Sequence, residues 1–348
     1  MPVSPGISDA RTDAWLSAPT LDDIEEAAQA LDGVIFKTPL LENAEVNQRL
    51  GGRLLIKGEM AQRTGSFKFR GAYNRIRQFS EGERRRGVIA YSSGNHAQAV
   101  ALVSKLMGTQ AHIVMPEDAP NTKMERTRQL GGQVITYKRE LETREAVAEK
   151  IMAEFDYVLV PPNEDRRVLA GAGTVALELI HQAGVLTATP DLILVPCGGG
   201  GLTAATAIVA RALIPSARVF GVEPELFDDT RRSLDAGKRL ANPKGRTTIC
   251  DAIMTDIPGE MTFSINRDLL DGILTVSDSE VCSAMQFAFE YFKIVIEPGA
   301  AVGLAAVLGC KIKLEGKTIV VIATGGNVDP QNFCASLGEP TTLTGQDI

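Results

Sequence analysis

Four short stretches of this chain carry residue types that do chemistry when a fold brings them together. In Thr64-Gly65-Ser66-Phe67-Lys68-Phe69-Arg70-Gly71 a lysine lies between two phenylalanines. Partial desolvation lowers a lysine's pKa and makes its amine a nucleophile toward carbonyls; the same placement also suits a lysine snorkelling from a half-buried helix. In Cys197-Gly198-Gly199-Gly200-Gly201-Leu202 four consecutive glycines separate an apolar run from a helical one. Backbone N–H groups there converge at the positive end of a helix dipole, which makes a phosphate cradle. No Lys-Ser/Thr pair follows the glycines and the GxGxxG spacing is missing, so neither a Walker A nor a dinucleotide fingerprint is present. A mononucleotide-sized phosphate ester fits better than ATP or NAD. Ser92-Ser93-Gly94-Asn95-His96 and Ala323-Thr324-Gly325-Gly326-Asn327 complete the set; alone, the first also reads as a helix N-cap with a turn.

Each stretch follows a candidate strand or opens a candidate helix. Strands are expected at 53–57, 87–90, 111–115, 133–137, 157–160, 192–195, 218–222, 272–275 and 318–323, with helices such as 96–107, 140–154, 173–182 and 277–292 among them. Thr20 and Asp23 form a capping box for a helix in which Ile24, Ala27, Ala28 and Leu31 share one face. Such alternation builds βαβ units and parallel sheets with helices on both faces. Doubly wound α/β sheets place ligands at the carboxyl ends of their strands, where the Gly198 and Thr324 stretches fall.

Composition narrows the chemistry. Of 348 residues, 36 are Lys or Arg and 43 Asp or Glu, a net charge of −7. An acidic balance without a basic stripe argues against nucleic acid as a partner. Three scattered histidines leave little for a His-built metal site or a Ser-His-Asp triad. The five cysteines show no CxxC spacing and read as reduced thiols. No signal peptide and no run of about 18 apolar residues is apparent, so a cytoplasmic protein that spans no membrane is expected. The 33 glycines exceed the roughly 24 expected from average usage; nine of them lie in the four stretches.

The four motifs in this order resemble the fold-type-II pyridoxal-phosphate enzymes, and within them the serine/threonine dehydratase and serine racemase branch, with hydroxyaspartate dehydratases close by. The resemblance runs from about residue 20 to 335 and decides for Lys68 as nucleophile. It implies an α/β fold of two doubly wound parallel-sheet domains, similar to the tryptophan synthase β subunit. A large cofactor domain would comprise 19–86 and 157–340, a small domain 87–156, and 1–18 a flexible tail.

By the same resemblance Lys68 binds pyridoxal 5′-phosphate covalently. Phe67 flanks its ring, Asn95 meets its 3′-oxygen, and Gly198, Gly199, Gly200, Gly201 and Leu202 hold its phosphate. Thr324 faces the pyridine nitrogen where Ser or Cys is usual; a neutral group there disfavours a strong electron sink and favours loss of a β-substituent. Ser92, Ser93, Gly94, Asn95 and His96 receive the substrate carboxylate, and Arg144 reaches a second one; read alone, Arg144 is a solvated helix charge. The implied reaction is dehydration of serine, threonine or 3-hydroxyaspartate to a 2-oxo acid and ammonia, with Lys68 as base. The alternative is a serine or aspartate racemase in which Ser93 is the second base. Glu223, the Phe227 carbonyl and Asp229 imply a Mg²⁺ or Ca²⁺ site, whose oxygen set suits a hard cation. A homodimer is implied, with no C-terminal regulatory domain. Ala252, Ala172 and Arg166-Arg167 depart from the family pattern and are expected to reshape the substrate pocket.

Overall fold

The computed structural model describes residues 18–338; residues 1–17 of the expected tail at 1–18 and the last residues of the expected large domain lie outside them. Chain order is α1 (Leu21–Leu31), β1 (Leu40–Glu42), α2 (Ala44–Leu50), β2 (Arg53–Gly58), α3 (Lys68–Ile76), α4 (Glu81–Arg86), β3 (Val88–Tyr91), α5 (Asn95–Leu106), β4 (Ala111–Pro116), α6 (Asn121–Gln129), β5 (Gly132–Tyr137), α7 (Arg144–Phe155) and β6 (Val158–Leu159). There follow α8 (Arg166–Val185), β7 (Leu192–Pro196), α9 (Gly201–Leu213), β8 (Arg218–Pro224), α10 (Asp229–Ala236), α11 (Glu260–Leu269), β9 (Gly272–Val276), α12 (Asp278–Phe287), α13 (Pro298–Leu308), β10 (Thr318–Ala323) and α14 (Pro330–Ser336).

Two sheets result. The larger has the order β1-β2-β10-β7-β8-β9 and the smaller β5-β4-β3-β6. Every pairing is parallel except β1 with β2. That antiparallel edge strand departs from the expected parallel architecture. Its three residues are too few to show an alternation in sequence. Small-sheet pairing also extends past residue 156, the expected end of the small domain: Val158 and Leu159 pair with Val88 and Ile89. The crossover back to the large sheet therefore begins later than the apolar run at 157–160 suggested.

Side chains alternate across the large sheet with period two. Leu54, Ile56, Leu192, Leu194, Ile319 and Val321 pack toward α12 and α13. Leu55, Ile193, Val195, Val320 and Ile322 pack toward α1, α8 and α9. Central strands buried on both faces read as continuous Val/Ile/Leu runs, which is why they were legible. Helix α8 is long and apolar enough to cross a membrane by length and composition, unlike any segment expected from the sequence, but 67% of that stretch is buried inside the protein. It is a core helix. Its start at Arg166, seven residues before the expected Gly173, follows from Asp165, whose side chain accepts from the Arg167 and Val168 amides. Helix α7 starts at Arg144 rather than 140 because Thr143 caps it.

Candidate active site in the cleft between the sheets

A cleft of about 450 Å³ is lined by Phe67, Lys68, Ser92–His96, Arg144, Gly198–Leu202 and Thr324. Residues as far apart in sequence as Phe67 and Thr324 thus share one cavity. Lys68 opens α3, and its Nζ donates to the Pro162 carbonyl at 2.8 Å. Burial, then the neighbouring Arg144 charge, lowers its pKa from 10.5 to about 8. A sizeable fraction of the amine is therefore neutral near pH 7–8. Nζ lies 5.1 Å from the centre of the Phe67 ring.

The loop before Lys68 is pinned on three sides. The Phe67 amide donates to the Thr324 carbonyl at 3.0 Å, and the Gly326 amide to the Gly65 carbonyl at 3.0 Å. Asn327 Nδ2 donates to the Thr64 carbonyl at 2.7 Å. Thr64 sits at φ +60°, a left-handed conformation that costs about 1–3 kcal/mol in a non-glycine residue and is kept where the surroundings over-determine it. Behind α3 a buried ion network holds the helix. Arg70 donates to both Glu59 oxygens at 2.7 and 2.8 Å and to Glu178 at 3.0 Å, and Lys57 Nζ donates to Glu178 at 2.7 Å. Each charge there has an opposite partner, as burial requires.

The glycine loop joins β7 to α9. Among the described residues, the amides of Gly198, Gly199, Gly200, Gly201 and Leu202 donate to no protein group. Gly200 has φ +83°, and a Cβ there would lie 2.6 Å from Asn266 Nδ2; a Cβ on Gly199 would lie 1.8 Å from Asn163 Nδ2. Unpartnered amides at a helix N-terminus, with no room for a Cβ at Gly199 or Gly200, fit a phosphate group.

Asn95 holds a further network. Its Nδ2 donates to Glu297 Oε1 at 2.6 Å, and its Oδ1 accepts from Asn327 Nδ2 at 2.7 Å. Burial, then the Asp251 charge, raises Glu297 to about 7. Glu297 and Asn327 line the cleft yet were not expected there as site residues: Glu297 stands before the Pro298 that opens α13 and reads as an ordinary helix start. His96 is buried, with Nε2 2.8 Å from the Val160 carbonyl. Desolvation and the Lys68 charge lower its pKa to about 3, so the ring is neutral.

Arg144 lies in the cleft with its guanidinium 5.5 Å from the Tyr91 ring centre, and it pairs with Glu145 at 2.7 Å. Of the departures from the family pattern, Ala252 lines the cleft. Ala172 lines a small hollow beside Phe67 and Lys68. Arg166 and Arg167 do not line the cleft: Arg166 pairs with Asp23 of α1, and the Arg167 carbonyl accepts from Asn74. Their place in the first turn of α8 points them away from the pocket they were expected to shape.

Glu223, Phe227 and Asp229 lie outside the cleft lining, at the end of β8. Glu223 accepts from the Thr230 and Arg231 amides, both at 3.0 Å. Asp229 accepts from Asn242 Nδ2 at 2.7 Å and Thr255 Oγ1 at 3.4 Å. Burial raises both carboxyls, Glu223 to about 8 with help from the Asp229 charge, and Asp229 to about 6. Among the described residues no cluster of three His, Cys, Asp or Glu side chains forms a metal site.

Comparison with known proteins places these features among relatives. A family model described as pyridoxal-phosphate dependent enzyme matches residues 31–325. The chain is 44% identical to an L-threo-3-hydroxyaspartate ammonia-lyase of Saccharomyces cerevisiae, over 90% of this chain and 95% of that one. It is 40% identical to a serine racemase of Schizosaccharomyces pombe, over 93% of this chain and 99% of that one. The solved structure of maize serine racemase superposes with a TM-score of 0.86 at 36% identity, covering 92% and 97% of the two chains.

Proposed function

The chain belongs to the pyridoxal-phosphate-dependent enzyme family, and from that premise we propose that it dehydrates 3-hydroxyaspartate, with serine and threonine as the other candidate substrates. It is an ammonia-lyase: water leaves from the α and β carbons, and hydrolysis of the resulting enamine yields a 2-oxo acid and ammonia. The observation that carries the reading is Lys68, an amine lowered to about 8 in the same cleft as five unpartnered amides. The 44% identity to the yeast L-threo-3-hydroxyaspartate ammonia-lyase favours that substrate.

In this reading Lys68 would hold the cofactor by its aldehyde, Phe67 would flank the ring, Asn95 would meet the 3′-oxygen, Gly198–Leu202 would bind the phosphate and Thr324 would face the pyridine nitrogen. Bound pyridoxal phosphate supplies an electron-withdrawing ring that acidifies the substrate's α C–H. Ser92–His96 present backbone and hydroxyl donors to the α-carboxylate. Arg144 takes a second carboxylate once it lets go of Glu145. Lys68 Nζ would take the proton from the substrate's α-carbon as general base.

Glu223, the Phe227 carbonyl and Asp229 would hold a Mg²⁺ or Ca²⁺ with waters. Two buried carboxyls raised in pKa by burial fit a hard cation, which would relieve their repulsion. Its role would be structural. A homodimer would follow from the family resemblance, and a cytoplasmic location from five cysteines that read as reduced thiols.

The test is 2-oxo-acid release from L-threo-3-hydroxyaspartate, L-serine and L-threonine by the cofactor-loaded protein, with borohydride trapping of the adduct at Lys68. Release from hydroxyaspartate well above the other two is expected; no release from any substrate overturns the reading. A racemase is the second reading, favoured by Ser93 lining the cleft that holds Lys68. In that case Ser93→Ala loses racemisation and keeps elimination from the L-substrate.

A further inference from the structure

Two buried polar side chains on α11 lie outside the cleft and have no place in the chemistry above. Thr262 and Asn266 are four residues apart, hence on one helix face, and are 0% and 1% exposed. Both donate to carbonyls of the glycine loop: Thr262 Oγ1 to Gly199 at 2.7 Å, Asn266 Nδ2 to Gly200 at 3.1 Å. Asn163 Nδ2 adds a second bond to the Gly199 carbonyl at 2.9 Å, and Thr203 Oγ1 one to Gly200 at 2.8 Å.

These bonds fix the direction of the amides. A trans peptide points its C=O and N–H in opposite directions. Holding the Gly199 carbonyl toward α11 therefore turns the Gly200 N–H the other way, into the cleft, and holding the Gly200 carbonyl does the same for Gly201. The Gly200 carbonyl also accepts from the Ala204 amide of α9 at 3.0 Å. Among the described residues the Gly199 carbonyl has no backbone partner, and glycine alone would not fix it, because glycine visits many backbone conformations at similar energy. A flipped peptide would aim a carbonyl dipole at the anion instead of a donor.

Asn266 carries a mark of this role. Its Oδ1 is buried and has no hydrogen-bond partner, so the residue costs more than an apolar one unless its Nδ2 earns the place. The reverse amide orientation would oppose two oxygens. Helix α11 is itself held by Glu164, whose Oε2 and Oε1 accept from the Met261 and Thr262 amides at 2.9 and 3.2 Å. The adjacent Asn163 grips the loop directly. One two-residue segment thus anchors both the loop and its clamp.

We propose that α11 is a clamp on the phosphate loop, with Thr262 and Asn266 as positioning residues that set the loop's affinity for the cofactor phosphate; this rests on the cofactor reading above. The experiment titrates cofactor-free wild type, Asn266→Leu and Thr262→Val with pyridoxal phosphate and, separately, with pyridoxal, which lacks the phosphate. Loss of one neutral hydrogen bond predicts about fivefold weaker pyridoxal-phosphate binding in each variant. Pyridoxal binding should be unchanged, and the ³¹P resonance of the bound cofactor should shift. Arg267→Ala, on the same helix but paired outward with Asp268, should alter neither. Unchanged pyridoxal-phosphate affinity in both variants overturns the clamp, as does a parallel loss for both ligands, which would mean general loosening. If Asn266→Leu does not fold, the near-isosteric Thr262→Val decides alone. Wild type that binds no pyridoxal phosphate overturns the cofactor reading instead.

Discussion

At the scale of single residues, the cleft holds two groups displaced in pKa toward neutrality, a base and an acid. Lys68 is the base, and Lys68→Ala should abolish the borohydride-trapped adduct and lower turnover by about 10²–10⁴-fold, the span of a lost general base. An unchanged adduct would place the cofactor on another lysine. Glu297 is the acid, raised from 4.5 to about 7 chiefly by burial. Between those values the folded protein keeps a proton that the unfolded chain has released. Stability from this group is therefore greatest below about pH 4.5 and falls as pH rises through 7, by on the order of 3 kcal/mol in all. Melting the cofactor-free protein at pH 5 and pH 8 should show a smaller loss at pH 8 in Glu297→Gln than in wild type. Equal slopes would sink the assignment. Lys68 was legible through the four motifs that carry the family resemblance; its flanking phenylalanines alone left a snorkelling lysine open. Glu297 was not: its partner Asn95 is 202 residues away, and nothing local distinguishes it from a helix-opening acid.

All nine expected strands exist. The central parallel ones carry unbroken apolar runs, while the edge strands β5, β6 and β9 are only partly buried and were found from shorter apolar stretches. The short edge strand β1 and the capped starts of α7 and α8 depended on single residues, and Thr143 and Asp165 were signals available in the sequence but unused. Helix contact was beyond sequence reasoning altogether. Where α3 crosses α8, a Cβ on Gly171 would lie 2.5 Å from the Arg70 carbonyl and 2.7 Å from Gly71 Cα. These are backbone atoms, which yield poorly. Gly171→Ala should therefore destabilise the protein by about 1–3 kcal/mol, the usual cost of overpacking, and displace the first turn of α3. A lower melting temperature together with faster loss of the unreduced cofactor from the loaded protein is expected; a wild-type melting temperature would show that the crossing relaxes freely.

At the scale of the molecule, the cleft is a gap between two sheets whose facing units must hold a fixed separation for Lys68, Ser93 and the glycine loop to act on one substrate. Two contacts tie α6 to the unit built on the large sheet. Lys123, on α6 beside the small sheet, pairs with Asp251, from the turn before α11, and both line the cleft. Thr122 Oγ1 donates to Asp329 Oδ2 at 3.4 Å. Asp251 is half exposed, so the pair alone contributes little to global stability; its effect should appear in closure over substrate. Lys123→Ala and Asp251→Ala should each raise KM several-fold with little change in melting temperature. If the pair acts as one clasp, the double variant should show no more than the larger single effect, because removing one partner already breaks the contact. Additive effects would mean that each residue touches the substrate independently. That outcome would reassign Lys123 from the clasp to the site that receives the substrate's second carboxylate, beside Arg144.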